Sequence, residues 1–537
     1  MWDTTLFNIK TKNMTTKNLK AYCLGGGLGS LSAAVFMIRD GGILGHQITI
    51  FEKLPTLGGC LDGARLKDGS YSLRGGRMLT TDAYECFWGL FKDIPSINNK
   101  GMSVKDETIA FNKKHIAHSQ GRLVDKNCHI VDTSTMGFNM HDRLEFLKLL
   151  EASEEKLGTS KITDWLSPGF FNTNFWYMWQ TTFAFEPWHS AVEFKRYLHR
   201  FMNEFPRINT LGGVKRTIYN QYDSLVVPLI AWLKDKGVNF ELATTVDDIN
   251  VEDIDGKVTV TSLTVIKNES PKQVTVHPDD IVIFQNGSMV DASSIGSMTE
   301  PPIKKTKADS KGWTLWEKLA KGRPDFGNPA PFNSSIPESF WESFTVTFKS
   351  SEFFDKIEKM TGNKAGTGGL VTFKDSNWLM SVVLYNQPHF IDQPDDVYIL
   401  WGYALHGSRV GDFIPKTMVE SNGQDILKEL AGHFNFDDSV FEDAICVPCR
   451  MPYITSMFMP RAYNDRPKPV PESSKNLAFV SQFVELADDV VFTVEYSVRA
   501  AQTAVYQLLN IDLEIPKITK HDKSPKVLID SFFKAIK

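Results

Sequence analysis

Little in the chain would anchor it in a membrane, staple it covalently or draw it to polyanions. No apolar stretch approaches the roughly 20 residues needed to cross a bilayer, and the N-terminal Met1-Trp-Asp-Thr-Thr-Leu-Phe-Asn-Ile-Lys10 lacks a signal core and a cleavage site. An intracellular, cytoplasmic protein is expected. Six cysteines among 537 residues make no disulfide framework. Cys446-Val-Pro-Cys449 has zinc or redox spacing, but no second pair or histidine set stands nearby, so two reduced, partly buried thiols and no metal are expected. The formal net charge of −5 argues against a nucleic-acid partner held through phosphates. With 42% hydrophobic and 23% charged residues the composition is that of a globular chain, long enough for about three domain-equivalents.

What is present is organised around Lys20 to Asp62. Ala21-Tyr-Cys-Leu ends in Gly25-Gly26-Gly27-Leu28-Gly29-Ser30 and passes into Leu31-Ser-Ala-Ala-Val-Phe-Met-Ile-Arg39, which has helical length and composition. Strand, glycine turn and helix in that order put unpaired N–H groups where a pyrophosphate binds. Gln47-Ile-Thr-Ile-Phe-Glu52 is a second strand ending in an acid for a ribose hydroxyl. Ser30 stands where the fingerprint has its third glycine. A second glycine pair in Leu57-Gly58-Gly59-Cys-Leu-Asp62 favours FAD over NAD, and Asp279-Asp-Ile-Val-Ile-Phe-Gln-Asn286-Gly287-Ser288 fits a further strand of the same sheet. The cofactor positions expected here are Gly25, Gly27, Leu28, Gly29, Ser30, Glu52, Lys53, Gly59, Leu61, Asn286, Gly287 and Ser288.

Residues 1–19 are polar and read as an N-terminal arm before the first strand. Ser70-Tyr-Ser-Leu-Arg74-Gly75-Gly76-Arg77-Met78-Leu-Thr80 is a turn with arginines flanking a glycine pair; it reads equally as a loop along a flavin and as a surface hairpin. Residues 165–202 are dense in aromatics, from Trp165 to Phe201, a pattern shared by ordinary core and by an apolar acyl channel. Residues 214–300 return to an α/β pattern, Pro301–Pro331 reads as loop, and Phe340 to Leu405 as alternating strands. Asn476–Val480 is a strand and Thr493–Leu509 a helix of the nucleotide fold. Between them Ser481-Gln-Phe-Val-Glu485 replaces the Gly-Asp of many flavoproteins, with Glu485 as a cofactor contact. At the C-terminus Ile529, Phe532, Phe533 and Ile536 share a helical face among lysines, which suits docking on the protein itself or on an anionic membrane.

Several long strings resemble the oleate hydratase family, once called myosin-cross-reactive antigens. They are Arg74-Gly-Gly-Arg-Met-Leu-Thr-Thr-Asp, Asn174-Phe-Trp-Tyr-Met-Trp-Gln-Thr-Thr-Phe-Ala-Phe-Glu-Pro-Trp188, Tyr219-Asn-Gln-Tyr-Asp-Ser224, Met451-Pro-Tyr-Ile-Thr-Ser456 with Met459-Pro-Arg461, and Glu495-Tyr-Ser-Val-Arg499. The match runs from about Lys20 to about Leu513. It implies a hydro-lyase that uses FAD to add water to the cis-9 double bond of oleate, linoleate and related free fatty acids, giving 10-hydroxy acids without net redox. It implies an α/β fold: a Rossmann-like FAD-binding domain of the glutathione-reductase type, a mixed α+β substrate domain and C-terminal helices. The boundaries expected are 20–135, 214–300 and 465–513 for the FAD domain, 136–213 and 301–464 for the substrate domain, and 514–537 for the basic amphipathic segment, in a monomer or homodimer.

By the same resemblance Tyr197 is the proton donor, its acidity helped by Arg196 or Arg200, and Gln221 lines the channel. Arg74, Gly75, Gly76, Arg77 and Met78 run along the flavin, while Thr80, Trp188, Tyr197, Gln221 and His389 meet the substrate. Two departures stand out. Met78 occupies the place of a glutamate held to orient water, and methionine can neither act as a base nor carry charge; Thr80, Thr81 and Asp82 are the nearest substitutes. The stretch Val383-Leu-Tyr385-Asn before His389 lacks the threonine and asparagine that serve the carboxylate, leaving His389 and Arg461 as candidates by charge. A flavin oxidoreductase or double-bond isomerase and a non-catalytic lipid-binding protein are the alternatives.

Overall fold

The computed structural model describes residues 19–76 and 78–537, so the expected arm, save Leu19, and Arg77 lie outside the described residues. A five-stranded parallel sheet is built from β1 (Ala21–Leu24), β2 (Ile48–Phe51), β3 (Asn239–Glu241), β4 (Ile281–Phe284) and β5 (Leu477–Phe479), in the order β5-β4-β1-β2-β3. β1 and β4 are buried at every residue, as strands covered on both faces must be. Helix α1 (Leu28–Arg39) follows β1 directly, as the glycine turn predicts.

A seven-stranded sheet lies beside it. Its order is Ser294–Ile295, Ile445–Met451, Trp341–Phe348, Tyr398–Ala404, Met380–Leu384, Gly369–Phe373 and Leu123–Val124, antiparallel except for the last pair. Leu123–Val124 and Ser294–Ile295 thus pair in this sheet, although the sequence reading put 20–135 and 214–300 with the nucleotide fold. The hairpin of Gly63–Arg65 and Tyr71–Leu73 docks on its face, Tyr71 and Leu73 donating backbone N–H groups to the hydroxyls of Thr347 (3.1 Å) and Thr345 (3.0 Å). On leaving this hairpin the chain places Arg74 at the cleft beside the glycine turn, and Gly76 and Met78 in cavity walls.

Helix α2 (Asn174–Phe183) is capped by the Thr173 hydroxyl, which accepts from Trp176 N–H, and α3 (Ala191–Arg200) by Ser190, which accepts from Glu193 N–H. Phe170, Phe175, Trp176 and Trp179 are buried against one another and form core, while Phe183, Tyr197 and Phe201 line a cavity. The aromatic belt therefore serves both purposes. Pro301–Pro331 is a correction: it contains α4 (Lys311–Ala320), whose Trp313, Leu315, Trp316 and Leu319 recur at helical spacing and are buried. Its lysines and flanking prolines gave it a loop's composition. Helix α5 (Val494–Leu508), capped by Thr493, packs along α1 through alanines on both partners.

The last helix, α6 (Pro525–Ile536), docks through its polar side. Arg143 donates to the carbonyls of Ala535 (2.9 Å) and Ile536 (3.0 Å), and Lys534 to that of Ser134 (2.9 Å). Leu528, Ile529, Phe532, Phe533 and Ile536 remain exposed. Among the described residues no helix is long and apolar enough to cross a membrane.

Candidate functional site

The turn after β1 opens a cleft. Gly25 sits at φ +102°, a conformation that L side chains rarely adopt, and a Cβ at Gly26 would lie 2.4 Å from Leu57 Cδ2. Gly27 caps α1 with no side chain over the first turn and no acid within it, so those N–H groups and the dipole face open space. Glu52 stands at the rim, accepting from Gly26 N–H at 2.7 Å and Leu54 N–H at 2.8 Å, while burial raises its carboxyl above the ordinary range despite both bonds. Ser30 does more than fit the fingerprint's third position: its hydroxyl accepts from Gln285 Nε2 at 2.9 Å.

Gly25, Gly27, Glu52, Lys53, Gly59, Arg74, Gly287 and Ser288 all line this cleft, and Leu28 and Gly29 line its continuation. Arg74 is held by an ion pair with Asp62 (3.0 Å) and a bond to Ser293 Oγ (2.7 Å). Leu61 and Asn286 stand behind the wall: Leu61 is core, and the Asn286 amide donates to Phe483 carbonyl and accepts from Ser481. Glu485 is a correction. Its carboxylate is taken up in an ion-pair cluster with Arg196 (2.9 Å) and Arg461 (2.7 Å) and does not line the cleft, whose continuation has Ser481, Gln482 and Phe483 of the same segment in its wall. Gln285, Lys311 and Gly312 also line the cleft without having been singled out in sequence. The last two sit at the start of α4, hidden by the loop-like composition there.

The cleft's continuation shares Phe492, Thr493 and Val494 with a second cavity, lined by Tyr197, Met78, Thr80, Gly76 and Glu204. Tyr197 is 1% exposed, and its hydroxyl donates to the Val491 carbonyl. Arg196 and Arg200 do not line this cavity. Arg196 is held by Glu154 and Glu485, Arg200 by Glu85 and Asp489, so neither is aimed at the phenol. Of the three substitutes for the missing glutamate only Thr80 lines the cavity; Asp82 is turned out to Arg207 (3.0 Å). Glu204 is the acid in that wall, its carboxylate gripped by Arg207 at 2.6 Å and 2.9 Å.

A third cavity, lined by Met78, Phe492, Trp401 and Arg216, shares Gly75, Gly76 and Arg216 with a fourth, lined by Gln221, Tyr385 and His389. Tyr197 and Gln221 thus line different cavities of one series, linked at Gly76. The His389 ring stacks on Tyr385 (centroids 3.8 Å apart, planes 4°), and burial together with the nearby Arg216 charge pushes it down to about 3, so it is neutral at physiological pH. Arg461 is enclosed by Glu193 and Glu485 and lines none of these cavities. Trp188 lies outside these cavities, its indole donating to the Glu338 carbonyl.

Cys446 and Cys449 are free and buried in the seven-stranded sheet, where burial raises both thiols, Cys449 to about 12. Among the described residues one group could seat a metal, Asp412, Glu429 and His433. Glu429 there already accepts three backbone N–H groups.

The profile of the MCRA family matches residues 18–506. An oleate hydratase of Streptococcus pyogenes serotype M49 (strain NZ131) is 39% identical over 526 residues, which is 96% of this chain and 89% of that protein. A linoleate hydratase of Lactiplantibacillus plantarum is 33% identical over 555 residues, 95% and 97% of the two chains. Among solved structures, an oxidoreductase from Methanosarcina mazei superimposes with a TM-score of 0.52 at 13% identity, covering 91% of this chain and 100% of that one. Cyclohexylamine oxidase from Brevibacterium oxydans IH-35A gives 0.52 at 11%, with 92% and 99% covered. Those two likenesses are of fold, and they agree with the Rossmann-like, flavin-type α/β architecture expected from the glycine turn. By its profile and by its identity to relatives over nearly the whole length, the chain belongs to the MCRA family.

Proposed function

We propose that the protein is an FAD-dependent hydro-lyase that adds water to the cis double bond of oleate, linoleate and related free fatty acids without net redox. One observation carries the reading: the cavity of Tyr197 and Met78 shares the wall Phe492 to Val494 with the cleft that opens from the glycine turn. The residues present fit the cofactor. An uncapped helix start, a glycine turn that lines the cleft and a carboxylate at the rim are what a dinucleotide needs. When bound, FAD would be held by these residues, and the hydration would leave it without net oxidation or reduction. The discontinuous two-domain division expected from sequence belongs to this reading, with the Leu123–Val124 and Ser294–Ile295 strands moved to the substrate sheet.

Hydration of an isolated alkene needs a proton at one carbon and water at the other. Tyr197 supplies the proton, and the proton that the added water sheds returns to the phenolate: the phenol is buried, fixed by α3 and held by the Val491 carbonyl, and general acids of this kind contribute about 10²–10⁴-fold. Among the polar residues of that wall, Thr80 and Glu204 are the ones that hold water in place of the acid missing at Met78. Phe183, Phe201, Leu211 and Val214 keep the rest apolar and exclude bulk solvent. The exposed apolar face of α6, set among lysines, makes peripheral contact with the inner face of the cytoplasmic membrane, where the substrate partitions. Oleate incubated with and without FAD tests the activity by product mass. A gain of one water supports it; a loss of two hydrogens, a shifted double bond at constant mass, or unchanged oleate overturns it.

A further inference from the structure

Arg216 is only 7% exposed, and its guanidinium meets no carboxylate. The backbone is pinned on both sides by Asn112, whose Oδ1 accepts from Arg216 N–H (3.0 Å) and whose amide donates to the Arg216 carbonyl (2.7 Å). Among the described residues the side chain has no hydrogen bond or ion pair: Nε is buried without an acceptor, and the group lies 5.6 Å from the centre of the Tyr385 ring. Guanidinium does not lose its proton in proteins, so this charge destabilises the fold until an anion reaches it.

Its neighbours in burial differ. Arg200 is neutralised by Glu85 and Asp489, Arg461 by Glu193 and Glu485, and Arg466 by Glu193 at 2.9 Å. Arg122, fully buried without a carboxylate, spends its N–H groups on the Leu370 carbonyl (2.7 Å) and the Thr182 hydroxyl (3.0 Å). Arg216 has neither solution. It lies where the cavity of Met78 and Phe492 meets that of Gln221 and His389, and His389 is neutral there.

We propose that Arg216 is the residue that binds the substrate carboxylate, a fixed buried cation at the Gln221–Tyr385–His389 end of the cavity series. The ligand class is a long-chain carboxylate, and an ester or alcohol of the same chain is selected against. This inference rests on the hydratase reading.

The test uses the FAD-loaded protein with oleate and with oleyl alcohol, which keeps the alkene and lacks the charge. Binding is read by calorimetry, and hydration by product formation. Wild type is expected to prefer oleate. Arg216→Gln should lower kcat/KM for oleate by about 10–100-fold, chiefly through KM, and change oleyl alcohol by less than about threefold, because only a charge-assisted bond is lost. Arg216→Lys should recover part of the preference, with FAD content and melting temperature held.

Equal binding of oleate and oleyl alcohol by wild type overturns the proposal without any variant. So does a uniform loss for both ligands in Arg216→Gln, or loss of FAD with oleate binding intact, which would give the cation to the cofactor. If wild type binds oleate but adds no water, the hydratase reading fails, and the two binding constants still decide the role of Arg216.

Discussion

The phenol of Tyr197 donates to the main-chain carbonyl of Val491, the residue before Phe492, whose ring walls both the Tyr197 cavity and the cleft that leads to the glycine turn. Phe492 holds a φ of +69°, costly for a bulky side chain and maintained here by its surroundings: its N–H donates to the Gln482 side chain. The Tyr197 phenol and the wall that the two cavities share are therefore fixed by one short segment.

Tyr197→Phe removes only the hydroxyl. It leaves one buried carbonyl short of a donor, at about 1–3 kcal/mol, and should keep FAD content while lowering hydration by about 10²–10⁴-fold. Turnover measured beside flavin absorbance and melting temperature checks this; near-normal turnover would move the proton donor elsewhere.

Met78 lines both the Tyr197 cavity and the Arg216 cavity, and its thioether can neither act as a base nor carry charge. Met78→Ala should leave turnover within about threefold of wild type and cost about 1–2 kcal/mol in stability, since the side chain is only partly buried. Met78→Glu restores a water acceptor and should leave activity equal or higher. A large loss in Met78→Ala at unchanged FAD content and melting temperature would mean that the methionine shapes the reacting geometry itself.

Glu52 ties the glycine turn to the end of β2 through two backbone N–H groups. Glu52→Arg removes both acceptors and places a cation beside Lys53 and Arg74, which line the same cleft. FAD affinity should fall by about 10-fold or more, read by flavin titration of the apoprotein. A variant that purifies yellow with unchanged affinity would displace the nucleotide assignment.

The nucleotide sheet was legible because its signals are local: an apolar run, a glycine turn and a helix stand in consecutive residues, and Glu52 ends the next strand. What escaped was set by partners far away in the chain. Gln285 reads as the residue after a strand, and only the fold brings its amide to Ser30, 255 positions earlier. Glu485 looked like a flavin contact by its place after β5, yet Arg196 and Arg461, from separate elements, claim its carboxylate. Arg216 gave no signal at all. Its distinction is the carboxylate it lacks, and a missing partner is visible only once every neighbour is in place.

Glu342 supplies a prediction in pH. Its side chain is fully buried on the strand Trp341–Phe348, and its contact with Arg450, at 3.4 Å, is too long to offset that burial. Desolvation pushes the carboxyl up to about 8, from 4.5 in the unfolded chain. Below the lower value both states hold the proton and the group contributes nothing to the pH dependence. Between the two values the unfolded chain releases a proton that the folded chain keeps, so stability falls as pH rises, by at most about 1.4 kcal/mol per unit. Above about 8 the loss is complete. Glu342→Gln keeps the shape without the titration, so its melting temperature should drop less than that of wild type between pH 5 and pH 8 and should exceed it at the upper end. Parallel melting curves for the two proteins across that window would show that Glu342 is already ionised in the fold, with Arg450 holding its charge.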